Sequence, residues 1–292
     1  MITLVLSAVI PVLLTVGLGY SLVRLGRNLD SAVITPLLVD VGTPCLILAT
    51  FLQTSISPAS FAEVGVATLA ALLAFAIVAA VTLTLLGLRV RTYLPSLTFP
   101  NNGNLGLPLA AYAFGHEGLG YAIVFYALCM IGQFTVGQAV AAGGMNWRGI
   151  VRLPLIYATA AGVLISALHV SPPIWFVRTI TLIGGMTIPL MLLMLGASLA
   201  RLQIRTIPRS VLLSLIRIGI GAGIGFAVTL AFRLTGVAAS VIVMQCAMPV
   251  AVFNYLFAQK WNNDPEEVAG LVVASTLVSV VAVPVLLYVL TA

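Results

Sequence analysis

The stretch FPNNGNLGLPL, residues 99–109, holds two prolines, two glycines and three asparagines in eleven positions. It lies between runs of Leu, Val and Ala that look made for lipid. Proline removes a helical hydrogen bond, glycine loosens the backbone, and an asparagine amide finds no partner in hydrocarbon. A membrane helix interrupted in this way needs something other than lipid beside it.

Composition fixes the solvent. Of 292 residues, 61% are hydrophobic and 7% are charged, against about 25% charged in a soluble domain. Too few charges remain to cover a water-facing surface, so the chain reads as an all-α integral membrane protein. Its apolar runs reach about 20 residues, the length of a membrane-crossing helix. A β-barrel would show short alternating segments instead. The opening MITLVLSAVIPVLLTVGLGY has no basic start and no small-residue cleavage site, and reads as a first span.

Ten spans are expected, near residues 2–23, 31–52, 61–88, 97–114, 119–143, 154–170, 179–200, 210–234, 237–258 and 267–290. The loops between them leave no room for a soluble domain. Ten of the 13 Lys and Arg fall in the odd-numbered loops: Arg24, Arg27, Arg89, Arg91, Arg148, Arg152, Arg201, Arg205, Arg209 and Lys260. Only Arg178 and Arg233 fall in the even-numbered loops, and Arg217 lies inside the eighth span. Positive charge marks cytoplasmic loops. The reading is a multi-pass protein of the cell's inner (plasma) membrane with both termini outside the cytoplasm. The net charge of +6 therefore reports topology, and no nucleic-acid partner is expected.

Five spans in each half, an odd number, imply two halves of opposite orientation, residues 1–145 and 146–292. Gly17 with Gly162, Pro44 with Pro189, and Pro108 with Pro249 recur at near-equal offsets, and LPLAAYAF (107–114) resembles MPVAVFNYLF (248–257). Inverted repeats are a signature of secondary transporters. On this reading spans 4 and 9 are corresponding helices broken at mid-depth, through Pro100 and Pro108 in one and Pro249 in the other. Unpaired backbone groups at such breaks must face protein or a wet cavity. Two half-helices meeting there aim positive dipole ends at one point, which suits an anion. Asn101, Asn102 and Asn104 add neutral donors and acceptors, while Gly103 and Gly106 allow close approach.

These residues resemble a known family. FPNNGNLGLPL, together with MPVAVFNYLFAQKWNNDPEEVAGLVVASTLVSVVAVPVLLYVL (248–290), is similar to the auxin efflux carriers. That family includes plant auxin exporters and many bacterial transporters, some for malonate or malate. The resemblance implies two inverted five-helix repeats with spans 4 and 9 crossing in an X. It also implies a dimerising scaffold from spans 1, 2, 6 and 7 and a moving transport domain from spans 3–5 and 8–10. The family's substrate-binding asparagine maps onto Asn101. Many members carry a polar residue at the position of Phe253; here Asn254 follows one position later.

Asp40 sits mid-span in LLVDVGTPCLIL, where an ionised carboxylate is costly unless paired, protonated or hydrated. It reads either as a coupling site for H⁺ or Na⁺ or as a protonated group fixing span 2. Arg217 reads as a snorkelling side chain, as an anchor for a substrate carboxylate, or as a partner for Asp40. Gln245 and Asn254 are further candidates to bind substrate, and Gln133 and Gln138 to line its path. The small residues Gly184, Gly185, Gly196, Ala197 and Ser198 of span 7 suit a homodimer contact.

Cys45, Cys129 and Cys246 lie far apart without metal-ligand spacing, and His116 and His169 fall at span ends. No hydrolase or phosphate-loop motif occurs, so neither an enzyme nor a cofactor is expected. The expectation is a secondary transporter of small organic anions, carboxylates first, working by elevator-type alternating access in the lipid bilayer. The alternatives are a Na⁺-coupled symporter or cation antiporter of similar crossed-helix fold, or a non-cycling channel or sensor.

Overall fold

The structure is a computed structural model and describes residues 2–27, 29–53, 57–143, 153–168, 170–202 and 207–291. Arg148, Arg152, Arg205 and His169 lie outside the described residues, as does the expected boundary at 145–146. Every regular element among them is helical. These are α1 (Ile2–Arg24), α2 (Ser31–Gln53), α3 (Pro58–Leu85) and α4 (Val90–Thr98). They continue as α5 (102–114), α6 (116–142), α7 (Pro154–Ala167) and α8 (Ile174–Arg201). The last four are α9 (Ile207–Ala231), α10 (Gly236–Cys246), α11 (Val252–Lys260) and α12 (Pro265–Thr291).

Local chemistry sets several boundaries. The Asp30 carboxylate accepts from the Ala32 N–H at 2.9 Å and caps α2. Ser57 Oγ accepts from the Ser60 N–H at 3.1 Å ahead of Pro58 and caps α3. An N-cap oxygen satisfies a donor the helix itself leaves open, and proline suits the first turn. Gly115, at φ 64° and ψ −153°, breaks the run from 102 to 142 into α5 and α6. Only glycine adopts such a backbone readily.

Seven described helical runs are long and apolar enough to cross a membrane, and two shorter apolar helices, Pro154–Ile165 and Gly236–Cys246, accompany them. Against the ten expected spans, the run Asn102–Ala142 takes in most of the fourth and the fifth, and the two shorter helices fall in the sixth and the ninth. Large apolar side chains point outward all round: Leu14, Leu73, Leu182 and Leu230 are 69%, 63%, 79% and 78% exposed. Such a surface belongs in lipid.

Two packing groups stand out. α1 lies along α8, and α2 packs on α7 and α8. In the other group α9 packs on α10, α12 and α3, while α3 also packs on α4 and on the run containing α6. The α1–α8 contact is a backbone approach, since a Cβ on Gly196 would overlap the Val16 carbonyl and one on Gly19 the Leu193 carbonyl. Gly184 similarly faces the Leu46 backbone, where a Cβ would sit 2.9 Å from Cα. Gly184, Gly196 and the buried Ala197 are thus used inside the chain, not at its surface. Gly185 alone of the glycines on α8 has nothing within 4 Å.

Candidate functional site

Pro100 and Pro249 each end a helix. Proline offers no N–H and pushes the residue before it out of helical geometry. Phe99 is accordingly extended, at φ −103° and ψ 105°. The two extended segments then pair antiparallel through the bridge of Pro100 with Val250. Asn101 N–H donates to the Pro249 carbonyl at 2.7 Å, and Ala251 N–H donates to the Phe99 carbonyl at 3.4 Å. Ser275 Oγ accepts from Val250 N–H at 3.0 Å. Backbone groups that lipid would leave unsatisfied therefore satisfy one another. Pro249 finds its counterpart in Pro100. Pro108, expected to share the break, lies instead in the continuing helix α5.

Side chains brace this junction. Asn102 Nδ2 donates to Gln245 Oε1 at 2.7 Å and to the Gln245 carbonyl at 3.1 Å. Asn254 Nδ2 donates to the Phe99 carbonyl at 3.1 Å, and its Oδ1 accepts from Gln133 Nε2 at 3.0 Å. Two glycines make the approach close. A Cβ on Gly106 would overlap Gln245 Oε1, and one on Gly103 would stand 2.8 Å from the Tyr126 ring.

A cavity of about 100 Å³ opens beside the junction. Its walls are Ser31, Thr35, Leu38 and Val39 of α2, Pro100 to Asn104 at the first break, and Ala251, Val252, Phe253 and Leu256 at the second. Tyr126, Cys129, Met130 and Gln133 of α6 and Met191, Met194 and Ser198 of α8 complete it. No Asp, Glu, Lys, Arg or His is among these lining residues. Asn101 Nδ2 and Asn102 Oδ1 are buried with no hydrogen-bond partner. The helices beginning at α5 and α11 turn their positive ends to the same junction.

Three wide turns with π-helical bonding, Leu38–Gly42, Asn102–Gly106 and Gln133–Gly137, all contribute wall residues. Pro44 and Pro108 stand two residues beyond the first two. Each lacks the N–H that would bond the carbonyl four residues earlier, so the ladder shifts register there.

The expected site residues thus divide. Asn101, Asn102, Gly103 and Asn104 line the cavity, while Gln245 and Asn254 do not and hold the junction from behind. Arg217 is 1% exposed and also lies outside the cavity lining. Its Nη1 donates to the Cys246 carbonyl at 3.0 Å, and Cζ stands 4.5 Å from the Phe75 ring centroid. It does not snorkel. Asp40 lies near the middle of α2 but on its exposed side, away from the cavity lining and from Arg217's contacts. Sequence reading missed Tyr126, Thr35 and the methionines, which stand unmarked in apolar runs, and read Ser198, a wall residue, as a dimer contact; the nearest signal was Gly103, which makes room for Tyr126.

Residues 135–287, just over half of the chain, match the family described as membrane transport protein, the auxin efflux carrier type. The chain belongs to that family. A relative in Methanothermobacter thermautotrophicus, described as an uncharacterized transporter, is 32% identical over 196 residues, which cover 63% of each protein. The chain therefore spans less than two thirds of that relative's length. Family membership and the apolar helices together make this a multi-pass membrane protein of that family.

Proposed function

We propose that this family member is a secondary transporter of small organic anions, carboxylates above all, and that the junction cavity is its substrate site. One observation carries the reading: Asn101 Nδ2, a buried donor without a partner, at a cavity wall that holds no acid. A donor left open in that setting costs about 1–3 kcal/mol, and a bound carboxylate oxygen would remove the cost. The absence of lining carboxylates disfavours cation antiport. The cavity also lies between the two packing groups, with α2 and α8 on one side and α5, α6 and α11 on the other. That arrangement suits a scaffold of spans 1, 2, 6 and 7 and a transport domain of spans 3–5 and 8–10. Elevator-type motion between them would carry the crossing of spans 4 and 9 across the membrane, within ten spans arranged as inverted repeats.

Asn101→Ala should weaken binding of the transported carboxylate by about 10- to 100-fold, the size of one lost buried hydrogen bond. Purified protein in nanodiscs would first be screened by thermal shift against mono- and dicarboxylates, and the best ligand then titrated against both proteins. Equal affinity in the variant would move the site elsewhere.

Asp40 is our candidate for H⁺ or Na⁺ coupling, in a homodimer with both termini outside the plasma membrane. Its carboxyl sits on an apolar helix face beside the exposed Val33, Leu37 and Val41. A carboxylate there is costly unless it is protonated, binds a cation or is covered by a second copy. Asp40→Asn should abolish the response of transport to a proton or Na⁺ gradient in proteoliposomes while labelled-substrate exchange continues, because the amide cannot release a proton. Full gradient dependence in that variant would end the coupling role.

A further inference from the structure

We propose that Arg217 sets the charge selectivity of the junction without touching the substrate, an inference that rests on the anion-transport reading above. Four helix ends meet at the two breaks. α5 and α11 bring positive N-terminal ends, while α4 and α10 bring negative C-terminal ends of similar size. Taken together they come close to cancelling, so the crossing alone has little preference for an anion. Arg217 breaks the balance. It donates to the carbonyl of Cys246, the last residue of α10, and places a full positive charge on that negative end. The α4 end receives only neutral donors, the Asn254 amide and the Ala251 N–H.

The guanidinium is fully enclosed, and its Nε and Nη2 have no partner. Among the described residues no carboxylate pairs with it. A buried charge with no counter-ion is expensive, and a purely structural arginine would gain from an acid beside it. Here the missing negative charge is the substrate's. The charge stands close to the cavity, because Cys246 follows Gln245, whose carbonyl and Oε1 both accept from Nδ2 of the wall residue Asn102. Low surrounding polarity leaves its field weakly screened. Gly221 preserves the geometry, since a Cβ there would overlap the Cys246 carbonyl and stand 2.8 Å from Nη1.

The test compares wild type, Arg217→Lys and Arg217→Met in nanodiscs, with propanoate and its uncharged isostere propanamide as probes. Wild type should prefer propanoate by more than tenfold, and the lysine variant should stay within about threefold of that preference. The methionine variant should lose the preference and keep its propanamide affinity. A methionine variant that still prefers propanoate, or loses both ligands equally, overturns the proposal. If wild type binds sulfate or another anion but no carboxylate, the carboxylate reading falls and the three proteins are compared on that anion. If it prefers the amide, the Arg217 proposal falls. A ligand-free measurement decides in every case. Cys129 is cyanylated in a Cys45→Ala, Cys246→Ala background, and its nitrile stretch is recorded. The frequency should shift on Arg217→Met and stay close to its original value on Arg217→Lys; an unshifted methionine variant means that the cavity does not feel the charge.

Discussion

An alanine at Gly106 should leave the protein folded and remove most of its transport, by about 10- to 100-fold at low substrate, the scale set by small misplacements of a binding group. The new Cβ would overlap Oε1 of Gln245, the atom that accepts Asn102 Nδ2 at 2.7 Å. Gln245 is fully buried, so it yields by rotating its amide rather than by moving into solvent. That rotation breaks the bond to Asn102 and leaves a buried donor with only the Gln245 carbonyl, at 3.1 Å. Asn102 and the Asn101 beside it both line the cavity, so the fault reaches the proposed substrate site. Adding Gln245→Ala restores space but not the brace, and transport should stay low. Gly17→Ala is the control, because nothing lies within 4 Å of that position. Uptake by Gly106→Ala at the wild-type rate would show that the brace does not position the site.

Some of this site can be read from residue types alone. Pro100 and Pro249 disfavour a continuing helix, and a break in a membrane protein must be covered. The sequence thus points to the junction. It does not say which segment covers which, because Phe99 and Ala251 are joined only by the fold. Pro108 shows the limit from the other side. As a residue type it is a helix breaker, yet the wide turn at Asn102–Gly106 absorbs its missing N–H and α5 runs on. Tyr126, Met191 and Met194 carry no local mark, since an apolar residue facing a cavity looks the same in sequence as one facing a neighbour. Arg217 illustrates the same point for charge: its place inside or at the rim depends on Phe75, from a distant helix.

The largest loss of stability is expected at Gly196. A Cβ there would overlap the Val16 carbonyl and stand 2.7 Å from the Tyr20 nitrogen, both backbone atoms of α1. Side chains can rotate away from an intruding methyl; a helix backbone cannot. α1 and α8 would have to separate, and Gly19 against Leu193 would lose its contact at the same time. In lipid, helices are held together by close packing rather than by exclusion of water, so separation forfeits the main attraction between them. Gly196→Ala should cost about 3 kcal/mol, the upper range for overpacking, and Gly196→Leu should yield no folded protein. Gly185 lies on the same helix and is open to the surface beside the exposed Leu182 and Pro189. Gly185→Leu should therefore leave the fold of the single chain intact. The same variant bears on assembly, because in the proposed homodimer this face meets a second copy. There a leucine should split the dimer, read as a halved particle mass in nanodiscs. A Gly196→Ala protein as stable as wild type would mean that the two helices are not held by this contact. If wild type and Gly185→Leu have equal mass, the dimer contact is not at Gly185.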